Sequence, residues 1–201
     1  QKLPMKTFFR AIILLPWVVP TVLSALAFWW IFDSQFSIIS WVLMQWGVIS
    51  APINFLGEPW TARWSVIAAN VWRGIPFIAI SLLAGLQTIP QSLNEAAALD
   101  GAHGWRMLRH ITLPQLRSTS AAVIMLLLIG AFQAFDEFYN MLGSINAYPP
   151  YGRPPLVHLY LTALGGGQQD LGVGGAGTMI LASIIMLFSV TQSWLLNRGR
   201  R

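Results

Sequence analysis

Four stretches of this chain stay apolar for far longer than a helix needs to cover a soluble core: about Phe8 to Phe32, Arg63 to Gln87, Ser118 to Leu142 and Leu171 to Leu196. At a rise of about 1.5 Å per residue, roughly 20 such residues cross the ~30 Å hydrocarbon layer of a bilayer. No water is present there to solvate an open backbone, so a span must satisfy its own N–H and C=O groups as a helix. Block length therefore sets the class: an all-α, polytopic membrane helix bundle with four spans. Composition agrees, with 9% of the 201 residues charged and 55% hydrophobic, against about 25% charged in a soluble domain.

Between the blocks the punctuation is clear. Pro16 and Pro20 predict a kink inside the first span, and Trp29 and Trp30 fall at its far interface. Phe36 to Ile49 is apolar but too short to cross; Ser37, Ser40 and Gly47 lie near one face, which predicts a helix resting on or dipping into the outer surface. Ala51-Pro52 and Gly57-Glu58-Pro59 mark a loop before the second span. A long loop, Gly143 to Gln169, holds Pro149-Pro150, Pro154-Pro155 and a short apolar piece, Leu156 to Leu164. The first residue is Gln and no signal peptide is visible, so a fragment that has lost its beginning is expected.

A net charge of +5 raises the question of nucleic acid, and the distribution answers it. Lys2, Lys6 and Arg10 precede the first span. Arg106, Arg109 and Arg117 follow the second, and Arg198, Arg200 and Arg201 close the fourth. Only Arg63 and Arg153 fall on the opposite side, among Asp33, Glu58 and Asp170. That asymmetry is the positive-inside pattern, not a nucleic-acid surface, and it predicts that both ends and the interval after the second span are cytoplasmic.

That interval, residues 90–114, is the longest polar stretch between two spans. Pro90 stops the preceding helix, and Ser92 with Glu95 reads as a capping box for a helix over Leu93 to Leu99. Asp100-Gly101 is a turn signal, and a second short helix is expected from Ala102 to about His110, ended by Pro114. Ala96, Ala97 and Ala98 offer a smooth surface suited to a groove, while Gly101 permits a sharp reversal. Two short helices joined at a glycine and held at both ends by membrane make a docking element.

Inside the spans one basic residue stands out. Arg73 lies about 14 Å below the outer end of its span at helical rise, where an uncompensated charge costs at least ~2.5 kcal/mol. On the third span Gln133, Asp136, Glu137 and Asn140 recur at i, i+3, i+4 and i+7, a single polar stripe on a greasy helix. Arg73 is nearly level with Gln133, within reach of Asp136 or Glu137. Two readings stand: a structural ion pair between spans, or a polar lining for a solute path. Most of the ten Trp residues read as interfacial anchors, with Trp17 and Trp72 falling well inside spans.

Other chemistries fail their context. The chain has no cysteine, which removes disulfides, thiol catalysis and cysteine-based metal sites. Gly172, Gly174 and Gly177 spell G-x-G-x-x-G, but no strand precedes them, and small residues at a helix start serve close packing instead. There is no P-loop and no G-x-S-x-G elbow, and His103, His110 and His158 lack partners at metal spacing. No catalytic residue, metal site or cofactor site is predicted.

Glu95, Ala96, Ala97, Gly101, Ile111, Leu113 and Pro114 stand at the spacing of the EAA motif, and in this the chain resembles the permease subunits of ABC importers. Asp100, Ala102 and Trp105 are similar to the sugar-importer branch; Leu108 departs from the Phe of many relatives. The segments Asn54 to Gly57, Trp72 to Phe77, Leu83 to Pro90, Phe135 to Leu142 and Leu156 to Leu164, with Asp170-Leu171-Gly172, resemble the first permease of maltose and glycerol-phosphate-type pairs. Tyr148-Pro149-Pro150-Tyr151 replaces the usual Gly-Gly-Pro of the outer loop.

The resemblance implies a transmembrane permease domain over residues 1–201 in a bacterial or archaeal plasma membrane. It implies four partners: a second permease, two ATPase subunits carrying ATP-Mg, and an extracytoplasmic solute-binding protein. Glu95, Ala96, Ala97, Asp100, Gly101 and Ala102 would form the coupling helix that follows ATPase closure. Arg73, Gln133, Asp136, Glu137 and Asn140 are the candidate path residues, for a carbohydrate. The rival reading is an ion-gradient transporter using Arg73, Asp136 and Glu137 as a charge relay.

Overall fold

A computed structural model describes residues 5–142, 153–165 and 169–198. Lys2, the Tyr148-to-Tyr151 segment, Arg200 and Arg201 lie outside the described residues, as do the readings that rest on them. The described chain is helical throughout, with three helices long and apolar enough to cross a membrane: α4 (Pro59–Gln87), the stretch Trp105–Phe132, and Leu171–Leu195 within α10 (Leu171–Arg198). Only 11% of the most apolar window of each is buried against the rest of this chain. The remaining apolar surface needs lipid or a neighbouring subunit to cover it.

The first block is broken rather than kinked. It forms α1 (Lys6–Val18) and α2 (Thr21–Phe32), bent by 94° across the residues between them. Proline chemistry explains the break. Val19 precedes Pro20 and is driven to an extended conformation, φ −74° and ψ 129°, so the helix cannot continue through it. The pair makes a fourth crossing only if both arms count as one span. The short apolar stretch that follows is α3 (Ile38–Gln45), with the Ser37 Oγ accepting from the Ser40 N–H at its start.

The third span begins and ends earlier than its hydropathy predicts. After α5 (Gln91–Leu99) and α6 (Trp105–Met107), a π turn over Leu108–Thr112 runs straight into α7 (Leu113–Phe132). Pro114 does not end this helix: it sits in the first turn of α7, where its missing N–H removes little, and the wider π turn lies just ahead of it. At the other end α7 stops at Phe132, and α8 (Asp136–Met141) sets off separately. The polar residues from Gln133 to Asn140 therefore do not share one continuous helix.

Helix α8 is the wedge of the fold. Met141 packs with Ala25 and Phe32 of α2 and Ala69 of α4, while Phe138 packs with Ala62 of α4 and Val157 of α9 (Pro155–Leu164). Rings extend this contact, since Phe135 stacks on Tyr139 at 5.1 Å and meets Tyr160 of α9 edge-on at 5.1 Å. The glycine signature falls in α10 as a packing seam. Side chains at Gly174 and Gly177 would run into Ala163 and Leu159 of α9. Close backbone approach of this kind holds helices together in lipid, where apolar burial supplies no drive.

Candidate functional site

A cavity of about 560 Å³ opens between α1, α4, α7 and the break that follows α7. Its polar wall comes from Asn70 and Arg73 on α4, Gln133 at the end of α7, and Asp136 and Glu137 in the first turn of α8. Trp17 and Thr21 close it from the bend between α1 and α2, and Phe77 and Phe135 add aromatic surface. Two chain breaks of distinct origin meet here: the proline bend between α1 and α2, and the interval between the end of α7 and the start of α8. The carboxylates sit where α8 exposes its first N–H groups, which favours negative charge.

The expected interspan ion pair is present. The Arg73 guanidinium donates to Glu137 Oε1 at 2.7 Å, with the Glu137 side chain 7% exposed and that of Arg73 33% exposed. The Arg73 Nε is buried and has no hydrogen-bond partner among the described residues. Asp136 lies on the cavity wall without joining this pair. Asn140 is not among the residues that line the cavity, and its amide donates to the Asp136 carbonyl at 2.8 Å. Four of the five predicted path residues are thus brought together, through two helices and a cap rather than one stripe.

Trp17, Thr21 and Asn70 are cavity residues that sequence reasoning left out of the site. Asn70 stands three residues before Arg73, and that spacing puts both on one helix face. Trp17 and Thr21 carry no comparable signal, because the 94° bend that aims them inward is set by tertiary structure.

The polar interval folds as a helix with a defined stop. Gly101 has φ +77°, the left-handed conformation that favours glycine. Its N–H donates to the Ala98 carbonyl at 3.1 Å, and the Ala102 N–H donates to the Ala97 carbonyl at 2.9 Å. Together these form a Schellman C-cap. The capping box at the start is absent. Pro90 is itself the N-cap, so the helix begins one residue ahead of Ser92 and makes no side-chain cap. Glu95 instead accepts from the Gln91 amide at 2.9 Å, one turn back. The three alanines do not form one open face either: Ala96 is exposed and Ala97 is buried, since neighbours on a helix point about 100° apart. Glu95, Asp100 and Gly101 are exposed and Ala102 is half-buried; Leu99, 90% exposed, and Trp105 flank the turn as bare apolar side chains.

Helices of spanning length around a polar, partly charged cavity define a polytopic membrane protein. The chain belongs to the family of binding-protein-dependent transport system inner membrane components, whose profile matches residues 2–198. That family is the membrane-embedded, multi-pass permease of its systems and is not itself catalytic.

Among its relatives is the trehalose/maltose transport system permease protein MalF of Thermococcus litoralis, 34% identical over 203 residues, covering 100% of this chain and 65% of that protein. The diacetylchitobiose uptake system permease protein DasB of Streptomyces coelicolor is 34% identical over 184 residues, covering 91% of this chain and 54% of its own. This chain thus spans less than two thirds of either. A bacterial ABC transporter involved in import of the acidic polysaccharide alginate shares the fold, with a TM-score of 0.83 at 22% identity over 98% of this chain and 68% of that one.

Proposed function

We propose that the chain is a permease subunit of an ATP-driven importer of carbohydrates, with the cavity around Arg73, Gln133 and Asp136 as part of the solute path. The observation that carries this reading is that cavity itself: polar side chains converge inside a bundle whose outer faces are apolar. Ionisable residues are costly inside a membrane, and those that face a cavity rather than lipid mark such paths. The names of the trehalose/maltose and diacetylchitobiose relatives support the carbohydrate class.

In this reading α5 and the turn at Gly101 seat in a groove of an ATPase subunit, with both chain ends on the same, cytoplasmic side. ATP closes an ATPase pair, α5 moves with it, and the spans alternate between inward and outward access. A second permease completes the path, and an extracytoplasmic binding protein delivers the solute. The chain contributes wall and lever, and the ATP-Mg sites belong to the partner subunits.

Reconstituted proteoliposomes test this directly. Uptake of labelled trehalose, maltose or diacetylchitobiose that requires internal ATP and persists with ionophores is the expected result. Uptake that collapses with ionophores and ignores ATP supports the ion-gradient reading through Arg73, Asp136 and Glu137 instead.

A further inference from the structure

The carbohydrate reading leaves open which saccharides the cavity admits, and its charge arrangement answers in part. Three ionisable groups line it: Arg73, Asp136 and Glu137. The Arg73 charge is offset by the buried Glu137 carboxylate, which accepts from one guanidinium nitrogen at 2.7 Å, so the three groups carry one net negative charge. The cation is therefore cancelled within the wall. Asp136 has no such partner among the described residues: only its backbone carbonyl is engaged, by the Asn140 amide. A carboxylate facing the cavity with its acceptor oxygens unused sits beside the neutral amides of Asn70 and Gln133.

A saccharide hydroxyl can donate to that carboxylate, whereas a uronate carboxylate entering the same space meets a cavity of net negative charge, Arg63 and Arg153 lining the adjoining cavity rather than this one. In a low-dielectric interior such repulsion is weakly screened, and specificity is often set by a repulsive element of this kind. We infer that Asp136, together with the masking of Arg73 by Glu137, makes this chain select uncharged saccharides and exclude acidic ones. The inference rests on the carbohydrate reading and adds to it the charge class of the solute. Asp136 is then a specificity residue, and Glu137 acts through Arg73 as a positioning residue.

The test is competitive uptake by the assembled transporter, with maltose, trehalose and diacetylchitobiose as neutral probes and dimannuronate and digalacturonate as acidic ones. Wild type should favour the neutral probes by about tenfold or more, the step that ~1.4 kcal/mol of discrimination gives. Asp136→Asn, which removes no observed side-chain contact, should narrow that ratio by raising acidic uptake. Glu137→Gln should do the same by unmasking Arg73. The double change Arg73→Gln with Glu137→Gln leaves the cavity charge as it was, so it should keep the wild-type ratio; this separates charge from mere disturbance of packing.

Preference of the wild type for the acidic probes overturns the inference. So does a ratio that neither single variant moves in complexes shown by gel filtration to be assembled. Loss of the ratio in the double variant as well assigns the effect to structure and also overturns it. Failure to take up any probe, with ATP hydrolysis intact, sinks the carbohydrate reading itself and this inference with it.

Discussion

The guanidinium of Arg73 on α4 and the carboxylate of Glu137 on α8 meet at 2.7 Å across 64 positions of sequence. The contact ties a wedge helix to a spanning helix at the point where α7 gives out. Without the break at Gln133 to Phe135, Glu137 would continue round α7 in helical register. With it, α8 turns the carboxylate into the wall of the cavity and buries Phe138 and Met141 behind it. One local interruption thus creates both the ion pair and the site.

Removing one partner of that pair should be costly. Arg73→Gln leaves the Glu137 carboxylate buried without its cation, a change that typically costs about 3–5 kcal/mol. Removing both charges should recover much of that loss, because the neutral pair can hydrogen-bond and no longer carries a desolvation penalty. Thermal denaturation of the two single variants and the double variant in detergent checks this. A loss in the double variant equal to the sum of the two single losses would mean the pair contributes no coupling energy.

Gln133 should behave in the opposite way. Its side chain is exposed at the end of α7, lines the cavity and takes part in no side-chain hydrogen bond among the described residues. Gln133→Ala should leave the melting temperature within the range of a neutral surface change, about 0.5 kcal/mol. Uptake should nonetheless fall several-fold, through KM more than through assembly. Unaltered transport kinetics would take Gln133 out of the path.

How far these features could be read in advance depends on the range over which they are determined. The long spans are legible because block length alone forces a helix in lipid, and α4 and α10 lie within a few residues of their expected limits. Local turn chemistry is legible at Gly101, where the Schellman bonds fall as the Asp-Gly signal implies. It misleads at Ser92, since Pro90 claims the cap position first, and at Pro114, since a proline in a first turn is tolerated. The polar stripe from Gln133 to Asn140 has a helical period that a break cannot be seen in. What interrupts it is the insertion of Phe138 and Met141 between α2, α4 and α9, and no local pattern encodes that.

The seam between α9 and α10 gives a stability prediction with an internal control. Gly174 is buried with Ala163 of α9 directly against the place a side chain would occupy, while Gly175 beside it faces open space. Gly174→Val should push the helices apart and cost about 1–3 kcal/mol, the usual penalty of overpacking. Gly175→Ala should be neutral or slightly stabilising, because alanine is the better helix former. Thermal aggregation midpoints of the two variants report the difference. Similar midpoints would mean that α9 is free to move off α10.

Coupling to an ATPase, the mechanical half of the proposed function, is tested at Gly101. Its φ of +77° lies in the left-handed region, and proline, locked near −65°, cannot adopt it. Proline would also delete the N–H that donates to the Ala98 carbonyl, so Gly101→Pro removes half of the Schellman cap. Helix α5 itself would survive, since its own bonds lie upstream, but its angle to the stretch that begins at Trp105 would be lost. The expected outcome is a complex that still binds its ATPase subunits or assembles poorly, and in either case shows no ATP-driven uptake. Leu99→Ser, which removes a bare apolar side chain from the same tip without touching the turn, should weaken ATPase binding while leaving the permease fold unchanged. Pull-down of the ATPase subunits, read beside uptake and ATP hydrolysis, separates the two effects. Full coupled transport in Gly101→Pro would show that the turn carries no force between nucleotide site and spans.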